Sequence, residues 1–276
     1  MSGPNEAQID YWNGRAGEKW AAMQVALDAM LTPVTAALKE RVGAVTGKRV
    51  LDIGCGAGET CTIWLDGGAQ VTGLDVSAPM LAVAKARTGG RAELIRADAS
   101  VWRADAPFDL AVSRFGVMFF DAPEAAFASI AANVRPGGRL VFVCWRASAE
   151  NEWVTVPMDA IRALLPEVPP PAPDAPGPFA LADRDRLGGM LARAGFSSVA
   201  IEPLDLAVCL AQEGGVDAAV QLVKQLGPAG RALAEAGEEV AAAATAPLAE
   251  ALAPHDKDGR VTLGGAIWLV EAIREG

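Results

Sequence analysis

Between residues 49 and 145 the chain repeats a pattern that few folds can satisfy. Five short β-rich runs, at 49–53, 69–75, 92–98, 108–113 and 138–145, alternate with helix-like stretches at 60–65, 78–86 and 123–134. Arg135-Pro136-Gly137-Gly138 closes the last stretch as a helix-stop signal. Between the third and fourth runs the link is short and irregular and does not read as a clear helix. Strands and helices alternating at this spacing form βαβ units, hence a parallel sheet covered on both faces. The nearly continuous apolar strands fit burial on both sides. The expected class is α/β, a doubly wound, mostly parallel sheet.

The flanks read differently. Residues 5–45 predict helices, with Leu27, Leu31, Val34, Leu38 and Val42 at helical spacing. Residues 166–178 carry seven of the eighteen prolines and predict an extended, semi-rigid connector. A helix is expected at 183–194, stopped by Gly195, and a sixth strand at 199–210. Two or three helices should fill 216–253, before a final strand at 260–270. The chain thus divides into an N-terminal helical lid (1–46), a core (47–146) and a Pro-rich connector (147–182). A core helix and strand (183–210), a helical insertion (211–259) and a last core strand (260–276) follow.

Composition narrows the function classes. With 51% hydrophobic residues and a mean hydropathy of +0.23, a disordered chain is excluded. A net charge of −10 repels phosphate backbones and anionic lipid, so neither nucleic acid nor a membrane surface is an expected partner. Four cysteines without a CxxC pair make neither a disulfide framework nor a zinc site, and no metal site is expected. The N-terminus lacks the basic and apolar blocks of a signal peptide, and no apolar run approaches the roughly 20 residues of a bilayer crossing. A cytoplasmic protein without membrane insertion is expected.

The sharpest local signal is Leu51-Asp52-Ile53-Gly54-Cys55-Gly56-Ala57-Gly58-Glu59. Glycines after a strand allow a tight turn and close approach to a ligand, which then faces a helix N-terminus. Asp75 ends the next strand, where a carboxylate can accept both hydroxyls of a ribose. A nicotinamide fingerprint would need a third glycine where Glu59 stands, and an acid beside a pyrophosphate is electrostatically wrong. Asp52 also suits a cationic ammonium better than two phosphates. With Asp98 on a third strand end, these acids select a ribose-bearing, positively charged ligand without pyrophosphate. S-adenosylmethionine meets that description.

On these residues the chain resembles the class I S-adenosylmethionine-dependent methyltransferases, over residues 48–146 as motifs and the whole chain in layout. The resemblance implies a seven-stranded sheet with an antiparallel last strand. It implies that Asp52, Gly54 and Gly56 line the amino-acid end of the cofactor, with Cys55 in the same loop. Asp75 would hold the ribose, Val76 and Met80 the adenine, and Asp98 the adenine amino group with Ala99 beside it. Ser113 and Arg114 close the fourth strand on the cofactor side. Tyr11-Trp12-Asn13-Gly14-Arg15-Ala16-Gly17-Glu18-Lys19-Trp20 looks like the lid of the small-molecule branch, similar to ubiquinone/menaquinone-type enzymes. No (D/N)PPY follows the fourth strand, which speaks against an amino-base nucleic-acid methylase.

Doubly wound sheets bind ligands beyond the carboxyl ends of their strands, so residues 146–182 and 211–259 should cap the site. Candidate bases are few. His255 reads first as a solvated loop histidine and second as a base reaching the pocket. Tyr11, Trp12 and Trp20 could close over a sulfonium or simply pack helices. Arg114 could hold an anionic substrate group or pair with an acid. Phe115, Met118 and Phe119 read as core or pocket, Trp145 and Trp153 as pocket walls, and Glu152 as a remote candidate base. Cys55 and Cys61 read as buried fillers. The expected function is methyl transfer to oxygen, carbon or nitrogen of a small apolar or aromatic molecule, in a chain that could form a homodimer. The alternatives are a cofactor-binding protein of this fold without transfer activity, and a nicotinamide oxidoreductase disfavoured by Asp52 and Glu59.

Overall fold

The computed structural model describes residues 5–166 and 175–276. Three helices come first: α1 (Glu6–Asn13), α2 (Arg15–Ala22) and α3 (Gln24–Val42). The core follows as β1 (Arg49–Ile53), α4 (Glu59–Asp66), β2 (Gln70–Asp75), α5 (Ala78–Thr88), β3 (Glu93–Arg96), β4 (Phe108–Arg114), α6 (Pro123–Asn133) and β5 (Val134–Trp145). Beyond it lie α7 (Glu152–Ile161), α8 (Arg184–Arg193), β6 (Phe196–Ala211), α9 (Gly215–Val223), α10 (Gly227–Ala236), α11 (Glu238–Ala243), α12 (Thr245–Leu252), β7 (Asp256–Lys257) and β8 (Arg260–Arg274).

The strands form one sheet in the order β3-β2-β1-β4-β5-β8-β6, with the two-residue β7 paired to β8. β1 to β5 are mutually parallel, and β8 runs antiparallel to both β5 and β6. The seven-stranded, doubly wound plan is therefore present, with β7 as a small eighth element. Val50, Leu51, Leu110, Val112, Val141 and Phe142 are buried with helices on both faces. That explains why these strands read as continuous apolar runs rather than alternating ones.

Some elements differ from the sequence expectation. Residues 216–253 form four helices rather than two or three; Gly237, at φ +96°, separates α10 from α11. The third strand keeps only four residues, while the irregular link between it and β4 carries no helix, as its sequence suggested. Most of the proline-rich connector, residues 167–174, lies outside the described residues. Its far end returns to the core, where the Gly177 amide donates to the Met118 carbonyl at 3.1 Å.

Among the described residues no single helix is long and apolar enough to cross a membrane. The pair α2 and α3 would suffice together in length and composition, but it is bent by 76°. The apolar side of α3, with Leu27, Leu31, Val34 and Leu38, is buried in the core.

Candidate active site

The strand order reverses between β1 and β4, which opens a crevice at the carboxyl ends of the strands. Gly54 and Gly56 leave β1 at φ +65° and +53°. Gly54 has no room for a side chain, and Gly56 holds a backbone that L side chains rarely adopt. A Cβ on Gly54 would lie 2.6 Å from Gly116 Cα, and one on Gly56 would lie 2.7 Å from Met80 Cε. The loop therefore packs backbone to backbone against the turn after β4 and leaves its open side to the crevice.

Asp75 is fixed beside this loop. Its Oδ2 accepts from the Gly56 amide and its Oδ1 from the Ser77 amide, each at 2.8 Å. Each oxygen keeps a second acceptor direction. Burial pushes the Asp75 carboxyl up, and the Ser77 and Gly56 amides oppose that shift. Asp98 is more heavily engaged. Its oxygens accept from Asn5 Nδ2 at 2.9 and 3.0 Å, from the Ser100 amide at 2.9 Å and from Ser100 Oγ at 2.7 Å.

The N-terminal helices are tied across this edge. Ser77 Oγ donates to the Trp12 carbonyl at 2.7 Å, Asn13 Nδ2 to the Val76 carbonyl at 2.9 Å, and the Ala78 amide to Asn13 Oδ1 at 3.1 Å. Gly17 is obligatory here, since a Cβ would lie 1.9 Å from the Trp12 carbonyl oxygen. The Trp12 carbonyl, the Asn13 side chain and Gly17 thus fit this segment to the turn after β2.

One cavity runs along the whole edge. It brings together sixteen of the candidate site residues read from the sequence: Trp12, Trp20, Gly54, Cys55, Gly56, Asp75, Val76, Met80, Asp98, Ala99, Arg114, Phe115, Met118, Phe119, Trp145 and Trp153. Beyond β4 and β5 it is walled by aromatic rings. Phe115 stacks on Trp145 at 4.4 Å and 11°, and Trp145 meets Trp153 at 4.9 Å. Phe115 itself holds φ +66°, a costly backbone for an aromatic residue. Leu226 and Gly227 at the start of α10, together with Pro178, close the far side. Both insertions therefore reach the cavity.

Five expected residues do not line it. Asp52 is fully buried beneath the glycine loop; its Oδ2 accepts from Cys61 Sγ at 3.4 Å while Oδ1 has no partner. Burial pushes its carboxyl up to about 6. Ser113 is also fully buried, donating from Oγ to the Ile53 carbonyl at 2.8 Å and accepting from the Gly116 amide at 3.0 Å. Tyr11 is 47% exposed, because α1 turns its neighbour Trp12 inward. His255 stands in the turn before β7, which pairs with β8, two strands from β4, and is not in the lining. Glu152 accepts from the Gly264 amide at 2.8 Å and is likewise absent from the lining.

Sequence reasoning missed Asn5, Gln24 and Asp28. Gln24, Leu27, Asp28 and Leu31 share one face of α3, so an acid amid an apolar helical stripe was the available signal for Asp28. Arg114, of the two readings offered for it, pairs with acids. Its Nη1 bonds Glu59 and, at 2.8 Å, Thr35 Oγ1, and its Nη2 lies 3.5 Å from Asp28 Oδ1. Burial raises the Glu59 carboxyl, with the Arg114 charge opposing.

A family model described as a methyltransferase domain matches residues 51–142, which hold the glycine loop, Asp75, Asp98 and the β4 turn. The demethylmenaquinone methyltransferase of Renibacterium salmoninarum is 30% identical over 175 residues, 60% of this chain and 73% of that protein. The chain belongs to the class I S-adenosylmethionine-dependent methyltransferases. The methyltransferase is also 39% identical over 117 residues to the malonyl-[acyl-carrier protein] O-methyltransferase of Enterobacter lignolyticus, a match covering 42% of this chain and 46% of that relative. Among solved structures, the methyltransferase shares its fold with magnesium protoporphyrin IX methyltransferase from Synechocystis PCC 6803. That match has a TM-score of 0.55 at 15% identity and covers 98% of this chain and 99% of the other. The 1,6-didemethyltoxoflavin-N1-methyltransferase of Burkholderia thailandensis matches with a TM-score of 0.55 at 18% identity, over 100% and 92%.

Proposed function

We propose that this methyltransferase acts on a small apolar or aromatic molecule held beneath its cap, at an oxygen, carbon or nitrogen atom. One observation carries the reading: a single cavity joins the acids at the ends of β2 and β3 to an aromatic chamber beyond β4 and β5. Bound there, S-adenosylmethionine supplies an electrophilic methyl group that passes to the acceptor by in-line displacement.

The residues present fit that cofactor. The side-chain-free approach at Gly54 and Gly56 suits its amino-acid end, with Cys55 in the same loop. Asp75, held by two amides with acceptor directions left over, suits the ribose hydroxyls. Val76 and Met80 offer apolar surface to the adenine, and Asp98 and Ala99 border its rim, while Trp12 and Trp20 cover the site. Trp153 and Pro178 from one insertion and Leu226 and Gly227 from the other serve as the cap that excludes water.

Among the described residues, no His, Tyr, Lys or Glu lines the cavity. Of the three lining aspartates, Asp75 and Asp98 stand at the nucleoside end and Asp28 is paired with Arg87 and Arg114, so the chain's contribution is alignment; holding two reactants in attack geometry can be worth about 7–11 kcal/mol. Calorimetry with S-adenosylhomocysteine tests the reading. Wild type should bind in the micromolar range and Asp75→Ala at least about 30-fold more weakly, as loss of a charge-assisted hydrogen-bonding pair predicts. Equal affinities would overturn the assignment. Incubation with methyl-labelled cofactor and a metabolite extract should then yield a labelled small product.

A further inference from the structure

We infer that the acceptor enters as an uncharged, flat aromatic molecule, and that this chain does not serve carboxylate or phosphate acceptors. The inference rests on reading the chamber beyond β4 and β5 as the acceptor end of the site.

The argument starts from charge. Among the described residues, Arg114 is the one cation lining the cavity, against three acids, Asp28, Asp75 and Asp98. Residues 167–174, Glu-Val-Pro-Pro-Pro-Ala-Pro-Asp in sequence, bring no Lys, Arg or His. The charge of Arg114 is already spent. Glu59 and Thr35 share Nη1, and Asp28 faces Nη2. Arg87, behind the wall, is in turn committed to Asp28 at 2.6 Å and to Gln24. An anionic acceptor entering this space would find no free guanidinium, since Arg114 and Arg87 are already matched by Glu59 and Asp28. A buried charge without a partner is strongly disfavoured.

Shape supplies the other half. Phe115 and Trp145 are stacked nearly parallel, and Trp153 leans on Trp145, pressed by Gly227, where a Cβ would lie 2.8 Å from Trp153 Cζ3. Rings fixed in this way favour a flat guest that continues the stack or meets it edge-on. The left-handed backbone of Phe115 holds its ring there at a cost, and such strain concentrates at ligand-binding positions.

Two probes on the same ring pair test the inference: 2-naphthol, uncharged at pH 7, and 2-naphthoate, bearing a carboxylate in place of the hydroxyl. Binding of each is measured by calorimetry on wild type saturated with S-adenosylhomocysteine. We expect 2-naphthol to bind at least about 30-fold more tightly, the penalty of an unpaired buried carboxylate. In Glu59→Gln, which frees one arm of Arg114, the gap should narrow by about tenfold through gain of naphthoate affinity. Equal or tighter binding of naphthoate to wild type overturns the inference, and so does failure of both probes to bind. If S-adenosylhomocysteine itself does not bind, the cofactor reading has failed first and this inference falls with it. If Glu59→Gln does not fold, the wild-type comparison still decides.

Discussion

The two ends of the cavity are built by different means. The nucleoside end is made by the sheet: strand ends, a side-chain-free loop and acids held by backbone amides, all within residues 52–99. The acceptor end is assembled from α3, the turn after β4, the end of β5, α7 and the start of α10, segments spread over two hundred residues. Backbone geometry fixes the first end, so it tolerates little change. Packing of side chains on insertions fixes the second, so it can be reshaped while the sheet stays intact.

The sharpest break of that contrast is Gly54→Val. A Cβ there meets Gly116 Cα at 2.6 Å, from a backbone at φ +65°. Strain and overpacking together should cost about 3 kcal/mol or more and abolish S-adenosylhomocysteine binding. Thermal unfolding and calorimetry read both effects. Comparable stability and affinity to wild type would mean that the two loops do not pack as described.

Asp52→Asn separates two roles within the nucleoside end. A carboxylate facing the cofactor would lose affinity on substitution, whereas a carboxylate buried under the loop should gain stability. Its pKa rises from an ordinary 3.8 to about 6 in the folded chain, an order-of-magnitude penalty of about 3 kcal/mol when ionised. The folded state binds this proton more tightly than the unfolded state, so stability falls as pH rises from 4 to 6. The variant should therefore unfold at higher temperature than wild type at pH 7.5, and the two should converge near pH 4. S-adenosylhomocysteine affinity should stay within about fivefold, less than one charge-assisted hydrogen bond is worth.

Phe115→Gly sharpens the acceptor end. Glycine adopts φ +66° without strain, which recovers about 1 kcal/mol, but the ring stacked on Trp145 is lost. Binding of an aromatic acceptor probe should weaken about tenfold, with S-adenosylhomocysteine affinity nearly unchanged. A parallel loss of both would show that the two ends are not independent.

The same contrast explains what the sequence made legible. Strand spacing, the glycine loop and the acids at 75 and 98 are local signals, and the structure places all of them on one edge. Asp52 was legible as an important acid but not as a buried one. Alternation along a strand does not say which face lies under α4, and Cys61 turned out to claim its carboxylate. His255 sat at a plausible end of the sheet by topology, but strand order moved it two strands from β4. Trp145 and Trp153 announced themselves as large aromatics at and beyond the end of β5. Asp28 and Asn5 did not, since their roles depend on contacts made 59 and 93 or more residues away along the chain.

Asn5→Ala, with the smallest expected effect, probes where the N-terminal segment joins the nucleoside end. Asn5 is 4% exposed with φ +58°; its amide donates to both oxygens of Asp98, and its Oδ1 accepts from the Asp121 amide at 2.6 Å. Alanine removes these bonds and is less suited than asparagine to the left-handed backbone. Against that, it frees lone pairs of Asp98 that a bound nucleoside could use. The lost anchoring should outweigh the gain, because α1 then covers the site less often. S-adenosylhomocysteine affinity should drop about two- to fivefold, near the value of one net hydrogen bond. Amide hydrogen exchange should quicken across Glu6–Asn13 and stay unchanged across Phe108–Arg114. Tighter binding in the variant would show that Asn5 competes with the nucleoside for Asp98 rather than closing the lid over it.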